Sequence, residues 1–468
     1  MRLINLRTEN LGTYLRAKLL IILISFALLP GQAAPRKDRV VVVISLDGFP
    51  AYAFDDPRLP TPTLRKLIRE GVFATMQPIN PTVTWPNHTA IVTGVNAAEH
   101  QVLFGGMLTR PSDGAQPTVE PWRAKEEMVH APTVYDAAFH AGLTTAQVDW
   151  VAIYNAKTIN WQFPELPDPD GQIEKELIAD GTVTAEQLKT YEEGSEAWQD
   201  EIWTDAAIKI LQQHKPNLLL FHLLMLDNAN HAYGPMSQAS YTAMALLDSN
   251  VKRILDTIEK TGLAPKATVI VVSDHGFRSS KHKIFPNVLL REKGLITGPE
   301  PLKGDAWVMP SGGTAMVYVR ESEGKAERSA QLREIFTKAD GVERVYGPDE
   351  FAALGIPTPA LSDNAPDLVL AASPDYLFSN GTDGEYRTDV TMGGTHGYLN
   401  TDPKMQAIFI AAGADVPRGV RLNGISNLDV APTIGKLLGI TLPSAKGRAI
   451  EQIGRSSERQ SAHSAPNK

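Results

Sequence analysis

The sequence predicts an α/β chain built on a largely parallel sheet flanked by helices, and three observations carry that reading. Short runs rich in β-branched residues alternate with amphipathic stretches, the rhythm of strands joined by helical crossovers. The run from Val40 to Ile44 is apolar throughout, as a strand buried on both faces must be. Aspartates and histidines fall beside the ends of such runs, where open α/β sheets bind their ligands.

The elements follow in chain order. After the Val40 strand, Thr61 and Pro62 open a helix that runs through Arg69 and closes at Gly71, with proline in the first turn, where its missing N–H costs nothing. Pro86 and the stretch Thr89–Thr93, ended by Gly94, predict a short helix beginning beside Thr84. Leu218 to Leu226 and Thr268 to Val272 are further buried runs, and Tyr241 to Lys260 has helical spacing that stops at Gly262. Ala407 to Ala411 predicts a late strand, and Asp429 to Leu438 a helix with an acidic start. Two regions break the rhythm. Trp161 to about Ser195 is rich in Pro, Asp, Glu and Gly and predicts a surface excursion. From Phe277 to Arg387 the elements are short and irregular, as in an inserted cap. The expected organisation is a signal peptide at 1–33, a core made of 39–276 and 388–445, a cap at 277–387 and a flexible tail at 451–468.

Composition narrows the function. With 45 Lys and Arg against 53 Asp and Glu, the net charge is −8. That leaves no cation excess for a nucleic-acid polymer. Cysteine is absent, which excludes disulfides, thiolate nucleophiles and Cys-based zinc sites. Arg2, Arg7, Arg16 and Lys18 precede an apolar run, Leu19 to Leu29, that ends at small residues including Ala33 and Ala34. This is the pattern of a secretory signal cut near Ala33, and the run is short for a membrane span. A periplasmic or secreted protein without a stable membrane anchor is expected.

Six residues have metal-ligand chemistry. Asp47 follows the first strand, Asp227 the Leu218 run with His231 four residues on, and Asp274 and His275 the Thr268 strand; His396 sits in a glycine-flanked loop. Singly each reads as a turn residue, a cap or a packed histidine. Together they supply the oxygen and nitrogen mix that zinc accepts. Thr84, at a helix start, is the candidate nucleophile, because orphan N–H groups and the helix dipole favour an anion there. An N-cap threonine is the plainer meaning of the same pattern.

Five ordered motifs then carry a resemblance. Ser45–Phe49, Thr84–His88, Asp227 through His231 to Pro235, Ser273–Phe277 and Gly394–Tyr398 resemble the nucleotide pyrophosphatase/phosphodiesterase family of the alkaline phosphatase superfamily, from about Val40 to Leu438. The resemblance implies an alkaline phosphatase-like domain with two zinc ions, manganese or mixed metals being the alternative. It implies that Asp227, His231 and His396 hold one ion. Asp47, Asp274 and His275 hold the other, with Thr84 as its coordinated nucleophile. It also implies an aromatic substrate contact at Trp85, which Phe104, Trp150, Tyr154 and Trp161 could extend. His88, Asn87 and His100 are read as local capping or packing, and His282 as a solvated loop residue. One departure stands out. Such families carry an asparagine where this chain has Gly105. Losing a donor of that kind costs about 10²–10³ in rate, unless glycine N–H groups or water replace it.

The expected function is an exported two-metal phosphodiesterase or nucleotide pyrophosphatase working through a phospho-threonine. Its substrate would be a small phosphate ester, nucleotides among the candidates. Two dications, three carboxylates and an alkoxide leave the site roughly neutral, which suits a monoanionic diester better than a dianionic monoester. A phosphonate or phosphomonoester hydrolase of the same superfamily is one alternative. A zinc-stabilised binding protein with weak activity is the other. Oligomeric state is left open.

Overall fold

The structure is a computed structural model in which residues 34–454 are described. The segments read as a signal, 1–33, and most of the tail, 455–468, lie outside them. A nine-stranded sheet organises the chain, and its central strand, Val40–Leu46, is buried at every position. That strand pairs in parallel with Leu218–Leu223 on one side and Ala267–Val272 on the other. Thr145–Val148 and Trp161–Phe163 extend the parallel set past Leu218–Leu223. Val40, Val42, Ile44 and Leu46 belong to one core, and Val41 and Val43 to a second on the opposite face. Helices Pro62–Glu70, Glu196–Gln213 and Gln238–Lys260 cover the first face. Thr84–Thr93, Val134–His140 and Val430–Leu438 cover the second. Burial on both sides, worth about 1.5–3 kcal/mol per large aliphatic side chain, is why the run shows no polar alternation.

The late strand, Ala407–Gly413, runs against its neighbours, pairing antiparallel with Ala267–Val272 and with Val72–Gln77. Its amino end therefore lies at the carboxyl edge of the parallel strands. The loop that precedes it, which carries His396, arrives at the same edge as the loops that follow the others.

Residues 306–372 form a second, antiparallel sheet of four strands, backed by helix Lys325–Thr337. Within this stretch, read from sequence as short and irregular, lies a regular hairpin, Ala306–Ser311 with Thr314–Val319, six residues on each side. The hairpin reaches the loop beyond: Gly313 N–H donates to the His396 carbonyl at 2.9 Å. Gly397, at φ +81°, lies so close to the Ser311 carbonyl that any side chain there would collide with it.

Two expectations are corrected. The Trp161–Ser195 stretch is not a surface excursion: it supplies an edge strand and helices Gln172–Ala179 and Ala185–Lys189, burying Phe163, Ile173, Leu177 and Leu188 in the main core. Exposed polar residues such as Gln172, Lys175, Glu186 and Lys189 gave the stretch a loop-like composition that masked its helical pattern. Residues Glu451–Gly454 are a turn, and Ile453 is fully buried in the second core, so that part of the expected tail is anchored. Among the described residues no helix is long and apolar enough to cross a membrane.

Candidate active site

The six ligand-type residues meet at the carboxyl edge of the sheet. Asp47 directly follows its strand, its N–H held by the Leu223 carbonyl at 3.0 Å. The next residue, Gly48, turns the chain at φ +66°, and a Cβ there would touch Asp227 Oδ1 and the Phe277 ring. Glycine lets the backbone pass beneath Asp227 without displacing it. Asp227 lies in the first turn of helix Met225–Tyr233, one turn before His231, so both project from one face. Asp200 fixes the start of that helix by accepting the N–H groups of Leu224 and Met225. Asp274 accepts from Gly48 N–H at 3.1 Å, which ties the first loop to the third.

Ligand atoms converge in two overlapping groups, Asp227–His231–His396 and Asp47–Asp227–His275, each with its atoms within 4.8 Å of one another. Asp227 belongs to both. Its Oδ2 is 3.2 Å from His231 Nε2, and its Oδ1 is 3.8 Å from His396 Nε2 and 4.0 Å from His275 Nε2. His275 Nε2 also lies 3.0 Å from Asp274 Oδ2 and 3.5 Å from Asp47 Oδ1. Each imidazole is oriented from behind by a backbone carbonyl at its Nδ1: Gly394 for His231, Gly276 for His275 and Thr82 for His396. With the Nδ1 proton donated outward, the Nε2 lone pair faces inward, the arrangement a metal-binding histidine adopts.

These groups fit divalent cations. Asp47 Oδ1, Asp227 Oδ1, Asp274 Oδ2 and His275 Nε2 are all buried with no hydrogen-bond partner, a costly state for polar atoms. The electrostatics agree. Burial, then Asp274 and Asp227, push the Asp47 carboxyl up to about 8. Burial opposes charge on His275, yet Asp274 and its neighbours lift it to about 9. Asp47 is thus the carboxyl that holds a proton, while, against burial, the imidazoles beside Asp227 and Asp274 keep those two below the usual carboxylate range.

Thr84 is the first residue of helix Thr84–Thr93, half-buried, and the N-cap is Val83. The hydroxyl is therefore not the cap, contrary to the plainer reading of the motif. His88 connects this helix to the metal-type cluster: its Nδ1 hydrogen-bonds the Thr84 carbonyl at 2.9 Å and lies 3.7 Å from Asp274 Oδ2. Asn87 stitches the helix start together, accepting from Ile79 N–H and donating to Pro81 and Val83 carbonyls. Just upstream, Thr82 donates to the Tyr398 carbonyl and accepts from Gly397 N–H, which docks the His396 loop against the start of the Thr84 helix.

Trp85, the residue after Thr84, lines a cleft with Trp122, Trp150 and Tyr154. Phe104 does not join it. That ring is buried in a cluster with Leu103 and Leu108 and packs against Tyr318. Trp161 faces the other side of its strand and stacks on His214 at 4.8 Å. Gly105 lies over the Trp85 indole, where a Cβ would make ordinary contact at 3.6 Å. His100 is buried and accepts from Val102 N–H, a packing role. His282 belongs to a short strand, not a loop, and pairs with Asp389.

Sequence reasoning missed His222. It stands in the buried Leu218–Leu223 strand, with Nε2 2.9 Å from Asp47 Oδ2 and Nδ1 3.0 Å from Asp149 Oδ2. Burial opposes its charge, but Asp149 and then Asp47 hold it as a cation. A lone imidazole in an otherwise apolar run was the available signal, since a buried titratable group requires a partner. His222 orients Asp47, so His222→Leu is expected to weaken metal affinity about 10–100-fold, as measured by competition with a chelator. Unchanged affinity would remove that role.

Comparison with known proteins decides the family. The profile of the family described as type I phosphodiesterase / nucleotide pyrophosphatase matches residues 41–399. The chain belongs to this family. Human ectonucleotide pyrophosphatase/phosphodiesterase family member 1 is 25% identical over 410 residues, 86% of this chain but 40% of that protein. The chain thus spans about two-fifths of that relative's length. Human family member 7 is 23% identical over 444 residues, 91% of this chain and 86% of the relative. The solved structure of murine ectonucleotide pyrophosphatase / phosphodiesterase 5 superposes with a TM-score of 0.67 at 17% identity, covering 87% of this chain and 97% of that one. A second structure of that murine protein is an inactive threonine-to-alanine variant in complex with AMP. The fold of this family member is alkaline phosphatase-like, of the α/β class.

Proposed function

We propose that this family member hydrolyses phosphodiester or phosphoanhydride bonds, with Thr84 as nucleophile and Asp47, Asp227, His231, Asp274, His275 and His396 holding two divalent cations. The convergence of inward-facing, unpartnered ligand atoms on a shared Asp227 is the observation that carries the reading. The mixture of carboxylate and imidazole favours zinc. When bound, such ions neutralise phosphoryl oxygens and lower the pKa of coordinated hydroxyl groups.

The chain's own residues do the rest. Thr84 Oγ, its proton released to solvent, forms the new P–O bond as the bond to the leaving oxygen breaks in line, and the electron pair leaves with that oxygen. Water then cleaves the phospho-threonine and restores the hydroxyl. The helix that begins at Thr84 aims unpaired N–H groups at the phosphoryl oxygens. His88, buried and held neutral at about 3 by burial and by the charge on His222, keeps the helix start in place against Asp274. The aromatic cleft at Trp85 takes the organic arm of the ester. Export to a periplasm or medium follows from the amino-terminal pattern.

A metal analysis with a substrate panel tests this. Two zinc ions per chain are expected. Bis(p-nitrophenyl) phosphate and nucleoside 5′-(p-nitrophenyl phosphates) should exceed p-nitrophenyl phosphate in kcat/KM by at least about tenfold, because a near-neutral site does not draw a dianion strongly. Faster monoester hydrolysis would select the phosphomonoesterase reading. Gly105 favours a second reading, a zinc-stabilised binding protein of weak activity, because it offers no side-chain amide to the transition state. Ligand binding without turnover by the metal-loaded protein would establish that one.

A further inference from the structure

The aromatic cleft that Trp85 lines contains one carboxylic acid that the proposed chemistry leaves unused. Glu165 lines it together with Trp85, Trp122, Trp150 and Tyr154, and no Lys, Arg or His is among the described lining residues. The carboxyl group is half-buried, and among the described residues no hydrogen bond or salt bridge holds it. The walls are flat rings. Trp122 and Tyr154 stay 40% and 44% exposed and meet edge to face at 6.4 Å. Such an arrangement accepts a planar π system by stacking, at about 1–3 kcal/mol per base. An unpaired carboxylate at its margin accepts hydrogen bonds from that system's edge.

Edge chemistry then selects among bases. A carboxylate offers two adjacent acceptors and no donor. Guanine alone among the common bases presents two adjacent donors, N1–H and the N2 amine, so the pair is bidentate and charge-assisted. Adenine presents its N6 amine beside the N1 lone pair, which faces the carboxylate acceptor against acceptor. Cytosine has the same mismatch, and uracil has one donor between two carbonyls.

Resting on the nucleotide diesterase reading above, we propose that Glu165 is a specificity-determining residue that makes guanine the preferred base of the substrate. Its protonation adds a readout. Burial, then the charge of Asp149, raise the Glu165 carboxyl to about 7, with Glu192 acting in the same direction and His222 opposing. Above that pH the anion matches guanine. Below it the neutral acid, one donor beside one acceptor, matches adenine. The guanine-to-adenine ratio therefore rises with pH through about 7. Titrations of the metal cluster act on both substrates alike and cancel from the ratio.

The test compares 5′-(p-nitrophenyl phosphates) of guanosine and adenosine, which share phosphorus and leaving group, on the zinc-loaded protein. At pH 8.5 (roughly 1.5 units above the carboxyl's midpoint) the guanosine ester should lead by about tenfold in kcat/KM, the value of one charge-assisted hydrogen bond. The lead should shrink toward parity near pH 6. Glu165→Gln, which fixes a donor beside an acceptor, should favour adenosine at every pH and retain hydrolysis of bis(p-nitrophenyl) phosphate. Equal rates on the two nucleosides at both pH values would overturn the assignment. So would a pH-dependent ratio that survives Glu165→Gln, or faster hydrolysis of p-nitrophenyl phosphocholine than of the guanosine ester. Hydrolysis of bis(p-nitrophenyl) phosphate with no gain from any nucleoside would sink this inference and leave the diesterase standing. Failure to hydrolyse any diester would sink both.

Discussion

Thr84→Ala is expected to lower kcat on a nucleotide diester by about 10³–10⁶-fold, the range over which removing a covalent nucleophile acts. The zinc content should stay near two per chain, since the ligand-type residues, Asp47, Asp227, Asp274 and the three histidines, are untouched. The size follows from geometry. Thr84 opens a ten-residue helix whose first N–H groups are free of intrahelical partners, and His88 ties the Thr84 carbonyl to within one side chain of Asp274. A methyl group leaves the positive helix end and the cations facing the phosphoryl group, but supplies no oxygen to attack it. Substrate affinity is thus largely retained while turnover collapses. Thr84→Ser should keep the reaction, and acid quenching of the wild-type protein with labelled substrate should trap phosphate on the peptide containing Thr84. Equal turnover by wild type and Thr84→Ala would remove Thr84 from the reaction.

What was legible in the sequence follows from how each ligand-type residue is placed. Asp47 and Asp274 stand next to fully buried strands, and a strand's hydrophobic run marks its end sharply, so the polar residue beyond it is conspicuous. Asp227 and His231 are separated by one helical turn, a spacing visible in one dimension. His396 was legible only as a motif, since its loop precedes a strand, and only the antiparallel pairing of Ala407–Gly413 explains why it meets the others. His222 and Asp149 were hidden. Their partnership with Asp47 runs between neighbouring strands, and register is a property of the folded sheet. Phe104 failed for the opposite reason. It was read as an aromatic that could extend the contact at Trp85, but the second sheet supplies Tyr318, against which the ring packs. The acid in the aromatic cleft, Glu165, lies in a stretch whose proline and acid content resembled a loop, although its flanking residues Gln162 and Pro164 line the same cleft.

Asp227→Asn should be the most damaging substitution among the metal-type ligands. Most of these residues serve one group of ligand atoms, whereas Asp227 serves both, with Oδ2 toward His231 and Oδ1 toward His396 and His275. Asparagine keeps the volume and one carbonyl oxygen but removes the charge, and its amide N–H₂ points a donor where a cation belongs. Zinc content is expected to fall from two to below one per chain, and kcat/KM on a diester by at least about 10³-fold, as both ions' contribution to the transition state is lost. His231→Ala removes one ligand at the exposed rim, where the side chain is 41% accessible, so a water molecule can take its place and the loss should be smaller. Stability provides a second measurement. A ligand at a hundredfold excess over its Kd raises folding stability by about 2.7 kcal/mol, so zinc should raise the Tm of the wild type. That rise should be largely absent in Asp227→Asn and only reduced in His231→Ala. Should the two variants lose zinc and activity equally, the ions would be held independently and Asp227 would not join them.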